Sequence, residues 1–292
     1  MRLLCRAGFL VLPLVSSLPV DASDGKIEIN KARAAAGGVT GSDTPGFPVT
    51  IDASGSYILT SNLDVSGQPT PENVTAIVVT ANKEVTIDLN GFSIIGPVSC
   101  TGGPPVCTPT GGSGIGISAT SNNNKLTVKN GTIRGMGVLG IDFAGAAILE
   151  DLQLVSNRFS GVIGTGGSSG HALMRNCIVT YNGLSAIILG PGSEVSSCSV
   201  GGNGGSGITI NNNGQGSVIN NNVWNNFGHG IVAGIGILVL GNTVSANGGF
   251  GLNAVTSAGY GHNVFNGNNG AGAEVNGGFQ IAPNLCNTAS CP

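Results

Sequence analysis

Asp142, Glu150, Asp151, Arg158, His171 and Arg175 lie close together in the chain and form its one compact set of side chains able to do acid–base work. Carboxylates and arginines in one place could neutralise an acidic sugar and draw off the proton beside its carboxyl group. That is the step a polysaccharide lyase or epimerase performs, with Lys or Arg as base and Ca²⁺ as the usual helper at the uronate. Hydrolysis of a glycosidic bond needs instead two carboxylates within about 10 Å, and after Glu194 the only charged side chain is Glu274. The plainer account of the six is a solvated surface patch, and what decides is the set of elements that positions them.

Those elements repeat. Val218 to Val223 followed by Asn226 and Gly230-Ile231 returns as Val239, Asn242 to Val244, Asn247 and Gly251-Leu252, then as Tyr260, Asn263 to Phe265, Asn268 and Gly272. Asn226, Asn247 and Asn268 are 21 residues apart at each step, and a fixed period of this size marks a solenoid. Earlier turns read Leu126-x-Val128-x-x-Gly131-x-Ile133, Ala147-x-Leu149-x-x-Leu152-x-Leu154, Ala172-x-Met174-x-x-Cys177-x-Val179 and Ser193-x-Val195-x-x-Cys198-x-Val200. Alternation within each short run puts one side chain in and the next out, and the two-residue gaps mark bends. Three short strands per turn predict an all-β fold: a single-stranded right-handed parallel β-helix of about nine or ten turns. The boundaries are a cap at 23–50, the coil at 51–276 and a tail at 277–292. Ile27 to Ala36 has helical composition and reads as a short capping helix. Proline-rich residues 97–113 are thrown out of the coil as a loop. Extra residues at Gly164–His171 and Asn211–Gln215 fall on one edge, where solenoid loops commonly build a binding wall.

Composition agrees with tight, repeated turns: 51 glycines in 292 residues, with only 9% charged. Residues 1–22 read as a secretory leader cleaved near Ala22, with Arg2 and Arg6 ahead of an apolar run. Its removal takes Arg2, Arg6 and Asp21 from 11 basic and 14 acidic residues and leaves a formal charge of −4. That is no footprint for nucleic acid, and no later run has the length of a membrane span. The expected location is outside the cell or in its envelope. Export leaves six cysteines, and position favours three local disulfides, Cys100–Cys107, Cys177–Cys198 and Cys286–Cys291, among fifteen pairings.

Columns follow from the alignment. Asn157, Asn182, Asn203, Asn226, Asn247 and Asn268 stack as a structural amide ladder at a bend suited to the left-handed conformation. Cys177, Cys198, Asn221, Asn242 and Asn263 make a second, inward column. Asp88, Lys129, Glu150 and Arg175 alternate in sign along one exposed bend. The outward column of the Gly-Ile strand reads Ser118, Asp142, Ile163, Ile188, Thr209, Val232, Asn253 and Glu274. Asp142 and Glu274 are then six turns, roughly 29 Å, apart and cannot cooperate.

The Asn-x-x-x-Gly-Ile element, the opening Val85 to Phe92 and the terminal Cys286…Cys291-Pro292 resemble secreted bacterial right-handed β-helix proteins of the pectate-lyase-like group. The resemblance covers most of the mature chain and implies fold more than function, because this architecture hosts lyases, hydrolases, epimerases, adhesins and scaffolds. Gly228-His229-Gly230 copies a polygalacturonase motif without its aspartate companions, so His229 reads as a turn residue. Two functions stand. The first is a non-catalytic secreted or surface protein whose long flat faces, lined by Asn, Thr, Ser and Gly, hold polysaccharide or another envelope component, with no cofactor and no metal and with only one Trp and three Tyr to stack on sugar rings. The alternative is a lyase or epimerase for an acidic glycan using Asp142, Arg158 and Arg175, with Ca²⁺.

Overall fold

The computed structural model describes residues 25–291 except 83, 123–124, 165–170, 212–213 and 288. The leader at 1–22 lies outside the described residues, as do most of the Gly164–His171 insertion and part of the Asn211–Gln215 one. The chain is a right-handed parallel β-solenoid with three faces. Its first face is a ten-stranded parallel sheet running from Val49–Ile51 to Val275–Asn276. The second and third faces are the two halves of a twenty-stranded sheet creased lengthwise, which Lys125–Arg134 and Ala146–Val155 cross as continuous ten-residue strands. About seven regular turns run from Ile115 to Val275.

Each strand is short and alternating because only one side can face the interior. Ile187–Leu189 and Ile208–Ile210 bury their first and third residues and leave the middle one half-exposed. Parallel register stacks like on like, so Ile187, Ile208, Ile231 and Leu252 form one continuous apolar column. One core therefore runs the length of the coil, as expected where each repeat can bury its face only against its neighbours.

At the N-terminus the expected helix from Ile27 is shorter. Ile27–Ile29 is a strand paired with Tyr57 to Leu59, and only Lys31–Ala36 is helical. Ile-Glu-Ile alternates, so it gains more by joining the sheet edge. Asn30 then caps the helix, its side chain accepting from the Arg33 N–H at 2.9 Å.

The bends resolve the amide columns. Left-handed backbone falls one residue before each ladder asparagine, at Ser156, Tyr181, Gly202, Asn225, Ala246 and Gly267, and not on the asparagines themselves. The left-handed residue reverses the chain, and its successor points inward. Asp151, Asn176, Ser197, Asn220, Gly241 and His262 do the same ahead of Leu152, Cys177, Cys198, Asn221, Asn242 and Asn263.

The last turn departs from the repeat. A 3₁₀ turn at Asn269–Ala271 adds residues, so Leu252 pairs with Val275 and Asn253 with Asn276. Asn276, not Glu274, ends the outward column. Glu274 points inward and is 4% exposed. The tail closes as an antiparallel pair, Leu285–Cys286 with Ala289–Ser290, pinned by the Cys286–Cys291 disulfide. Pairing the final strand to the chain itself blunts an edge that would otherwise invite association.

Candidate functional site

The six candidates do not share one face. Asp142 lies on the first face between Ser118 and Ile163. Glu150 and Arg175 occupy the crease between the second and third faces, joined by an ion pair of 2.6 Å, and Asp151 is the bend residue beside them. Asp88, Lys129, Glu150 and Arg175 stack there in successive turns, although Asp88 is buried and is held by Lys26 at 3.3 Å. His171 opens the second face and borders a cavity of about 420 Å³ with Lys125, Thr127, Ile148, Leu173 and Glu194.

Arg158 is at the opposite bend, between the third and first faces, and is committed to the fold. Its guanidinium donates to the carbonyls of Gly137 at 2.5 Å, Thr110 at 2.7 Å and Gly112 at 2.9 Å, and it lies 4.0 Å over the Phe159 ring. Thr110 and Gly112 belong to the returning limb of the thrown-out loop. Arg158 is thus a clasp for that loop, and a guanidinium in such use is not positioned as a base.

Both amide columns are buried and continuous. In the first, the backbone N–H and Nδ2 of each asparagine donate to Oδ1 of the next from Asn157 to Asn268, for example Asn182 to Asn203 at 2.9 Å each. It ends at Glu274, whose carboxylate accepts from Asn268 Nδ2 at 2.5 Å and from its backbone N–H at 3.2 Å. The second column runs from Cys198 through Asn221, Asn242 and Asn263 to Asn284. Every amide proton placed inside finds an acceptor, as burial requires.

Cys177 and Cys198 are free, buried thiols and not the expected third disulfide. In-register parallel stacking points both Cβ atoms the same way at about 4.8 Å spacing, whereas a disulfide brings Cβ atoms to about 3.8 Å with their sulfurs facing. The hydrogen bond with Cys198, then burial, push the Cys177 thiol far above its ordinary range. His229 is likewise structural. Its Nδ1 accepts the Phe250 N–H at 3.0 Å, its ring stacks on Phe250, and burial lowers its pKa. Among the described residues, no group of three His, Cys, Asp or Glu side chains is placed to hold a metal.

The feature that sequence reasoning missed is aromatic. Residues Ser99–Thr101 and Val106–Thr108 form an antiparallel hairpin closed by Cys100–Cys107. Arg158 holds its base, Cys107 rests on Gly183, and Gly103 rests on Phe227, where an added Cβ would come within 3.3 Å of the ring. The hairpin thereby roofs a cavity of about 280 Å³. Its walls include Tyr181, Trp224 and Phe227, which are partly exposed. Tyr181 leans along the coil onto Gly202, and Trp224 leans the opposite way onto Gly201; a Cβ on either glycine would collide with the ring. The Gly201-Gly202 pair, flanked in register by Tyr181 and Trp224, was the available signal. The roof could not be read from a repeat alignment, because the loop lies outside it.

The family described as right handed beta helix region matches residues 113–286. No curated protein sequence matches the chain. Among solved structures, a double mutant of the periplasmic alginate epimerase AlgG superposes with a TM-score of 0.59 at 15% identity, covering 76% of this chain and 56% of that one. A single mutant of the same epimerase gives 0.57 at 15% identity over the same shares. This chain spans little more than half of those structures, and likeness at this identity concerns the fold.

Proposed function

The chain belongs to the right-handed β-helix family, and on that premise we propose that it is an extracytoplasmic, non-catalytic polysaccharide-binding solenoid. The carrying observation is the cavity under the Cys100–Cys107 hairpin, where the chain's only tryptophan stands with Tyr181 and Phe227. Small-molecule sites are concave, mostly apolar and furnished with a few polar groups, and aromatic side chains dominate contact energetics in such places. Two disulfides support export, since such bonds persist in oxidising compartments. In this reading the coil has nine or ten turns in all, begins with a cap at 23–50 and follows a cleaved leader.

Arg158 tied to the loop and Arg175 tied to Glu150 support binding over turnover, because both arginines of the lyase or epimerase alternative are engaged within the fold. The test is affinity electrophoresis of the mature protein through gels holding a panel of neutral and acidic polysaccharides. A parallel assay follows unsaturated-sugar absorbance, new reducing ends and, by proton NMR, C5 epimerisation. Retardation without product is expected. Product formation that Arg158→Lys and Arg175→Lys abolish would replace binding with catalysis.

A further inference from the structure

We propose that the roofed cavity is a site for one ring of an uncharged glycan, a deepening that rests on the polysaccharide-binding reading. Charge is the first argument. From residue 176 to 292 the chain contains no Lys or Arg at all. Tyr181, Trp224 and Phe227 belong to that stretch, and the roof over them is built from Gly102 and Gly103. Arg158, which supports the roof, already gives its guanidinium to three carbonyls. No Lys or Arg lines the cavity, and Arg134, on the same face, stands two turns before Thr180; a uronate bound here would bring its carboxylate into an apolar setting, and burying an unpaired charge is strongly unfavourable. A neutral ring meets no such penalty.

Shape is the second argument. The cavity holds about 280 Å³, at the small end of ligand sites, so it suits one ring more than an extended chain. Tyr181 and Trp224 arise two turns apart, roughly 9–10 Å along the coil, and lean toward each other over Gly201 and Gly202. Their flat surfaces complement the C–H face of a pyranose. Beside that apolar wall the lining is polar at Asn225, whose side chain is exposed and offers both an amide donor and a carbonyl acceptor. Hydroxyls at the rim of a sugar would find donors and acceptors there, while its face rests on rings. The glycines do the rest, since a side chain at 201 or 202 would occupy the space the rings use.

The hairpin gives the site its fourth wall. Its attachment through Arg158, Gly183 and Phe227 spans the turns that carry the aromatic residues, so the roof and the wall are fixed to each other before a ligand arrives. Such preorganisation reduces the ordering cost of binding.

Trp224 is the only tryptophan, so intrinsic fluorescence reports this cavity directly. The mature protein is titrated with cello-, xylo-, manno- and β-1,3-gluco-oligosaccharides, and separately with oligomannuronate and oligogalacturonate, at low and high salt. A saturable, salt-insensitive fluorescence change with at least one neutral series is expected, weakened about tenfold in Tyr181→Ala. Tyr181 is exposed, so this variant keeps the fold, and far-ultraviolet circular dichroism verifies it. A fluorescence response to the uronate series alone would overturn the neutral-glycan assignment and leave polysaccharide binding standing. Retardation on a gel with no Trp224 response to any fragment would move the site off this cavity. No response and no retardation with any member of either panel would remove both the site and the reading beneath it.

Discussion

Asn203→Ala should destabilise the coil by about 2–4 kcal/mol, more than its small change in volume implies. The side chain is fully buried in the middle of the first amide column. Its Oδ1 accepts the Asn182 backbone N–H and Nδ2, both at 2.9 Å. Its own Nδ2 donates to Val179 O at 3.0 Å, Gly201 O at 3.1 Å and Asn226 Oδ1 at 2.8 Å. After truncation the Asn182 amide still reaches Leu154 O and Thr180 O, so the strictly orphaned donor is the Asn182 backbone N–H. One buried unsatisfied donor costs about 1–3 kcal/mol, and the acceptors that lose a partner, with the small void, bring the sum to the stated range. Urea unfolding followed by circular dichroism and by Trp224 fluorescence measures it. With a slope near 3 kcal/mol/M for a chain of this size, the midpoint falls by roughly 1 M. Asn222→Ala is the control: it is an exposed strand asparagine, and such sites change stability by about 0.5 kcal/mol or less. Equal midpoints for the two variants would refute the claim that the column stabilises the coil through its hydrogen bonds.

Glu274→Gln should cost little, because the amide keeps an acceptor for Asn268, whereas Glu274→Ala strands the end of the column and should cost about 1–3 kcal/mol; equal losses from the two in thermal melts would reject the capping role. Burial holds the His229 imidazole below the ordinary histidine value, so its contribution is complete above about pH 6.5. It declines as pH falls through the depressed folded value, since the unfolded chain takes the proton first. Melting temperatures from pH 8 to 5 should therefore fall more steeply in the natural protein than in His229→Leu, and parallel curves would refute the assignment. Cys177 and Cys198 should resist a thiol reagent in the native state and give two equivalents of free thiol after denaturation without reductant; zero equivalents would show that the pair had oxidised.

What the sequence disclosed was periodic. Strand alternation and the 21-residue step place the asparagine columns because stacked turns carry the same residue into the same environment. Exceptions to the period were harder to read. Two residues added at Asn269–Ala271 reverse the direction of Glu274, and an alignment anchored on Asn268 has no means of seeing them. The cysteines shared a column, as aligned, but adjacency in a parallel stack places side chains beside each other without turning them face to face. Arg158 looked like chemistry because arginines near acids often are; its partners are main-chain carbonyls of a distant loop, which carry no side-chain signature.

The aromatic cavity has the same origin as these exceptions. A regular solenoid makes flat faces, and flat faces enclose little, so concavity has to come from residues that leave the repeat. Here the Cys100–Cys107 hairpin leaves the coil before its regular part and folds back over turns that come later in the chain. Arg158 joins the two, donating to Gly137 in the coil and to Thr110 and Gly112 in the loop. One of the six residues read as candidates for catalysis thus serves the uncharged site from outside, by holding its roof. Residues that can bind are those the repeat leaves free to vary, and the repeat itself supplies the rigid ground on which Tyr181 and Trp224 are set at fixed spacing.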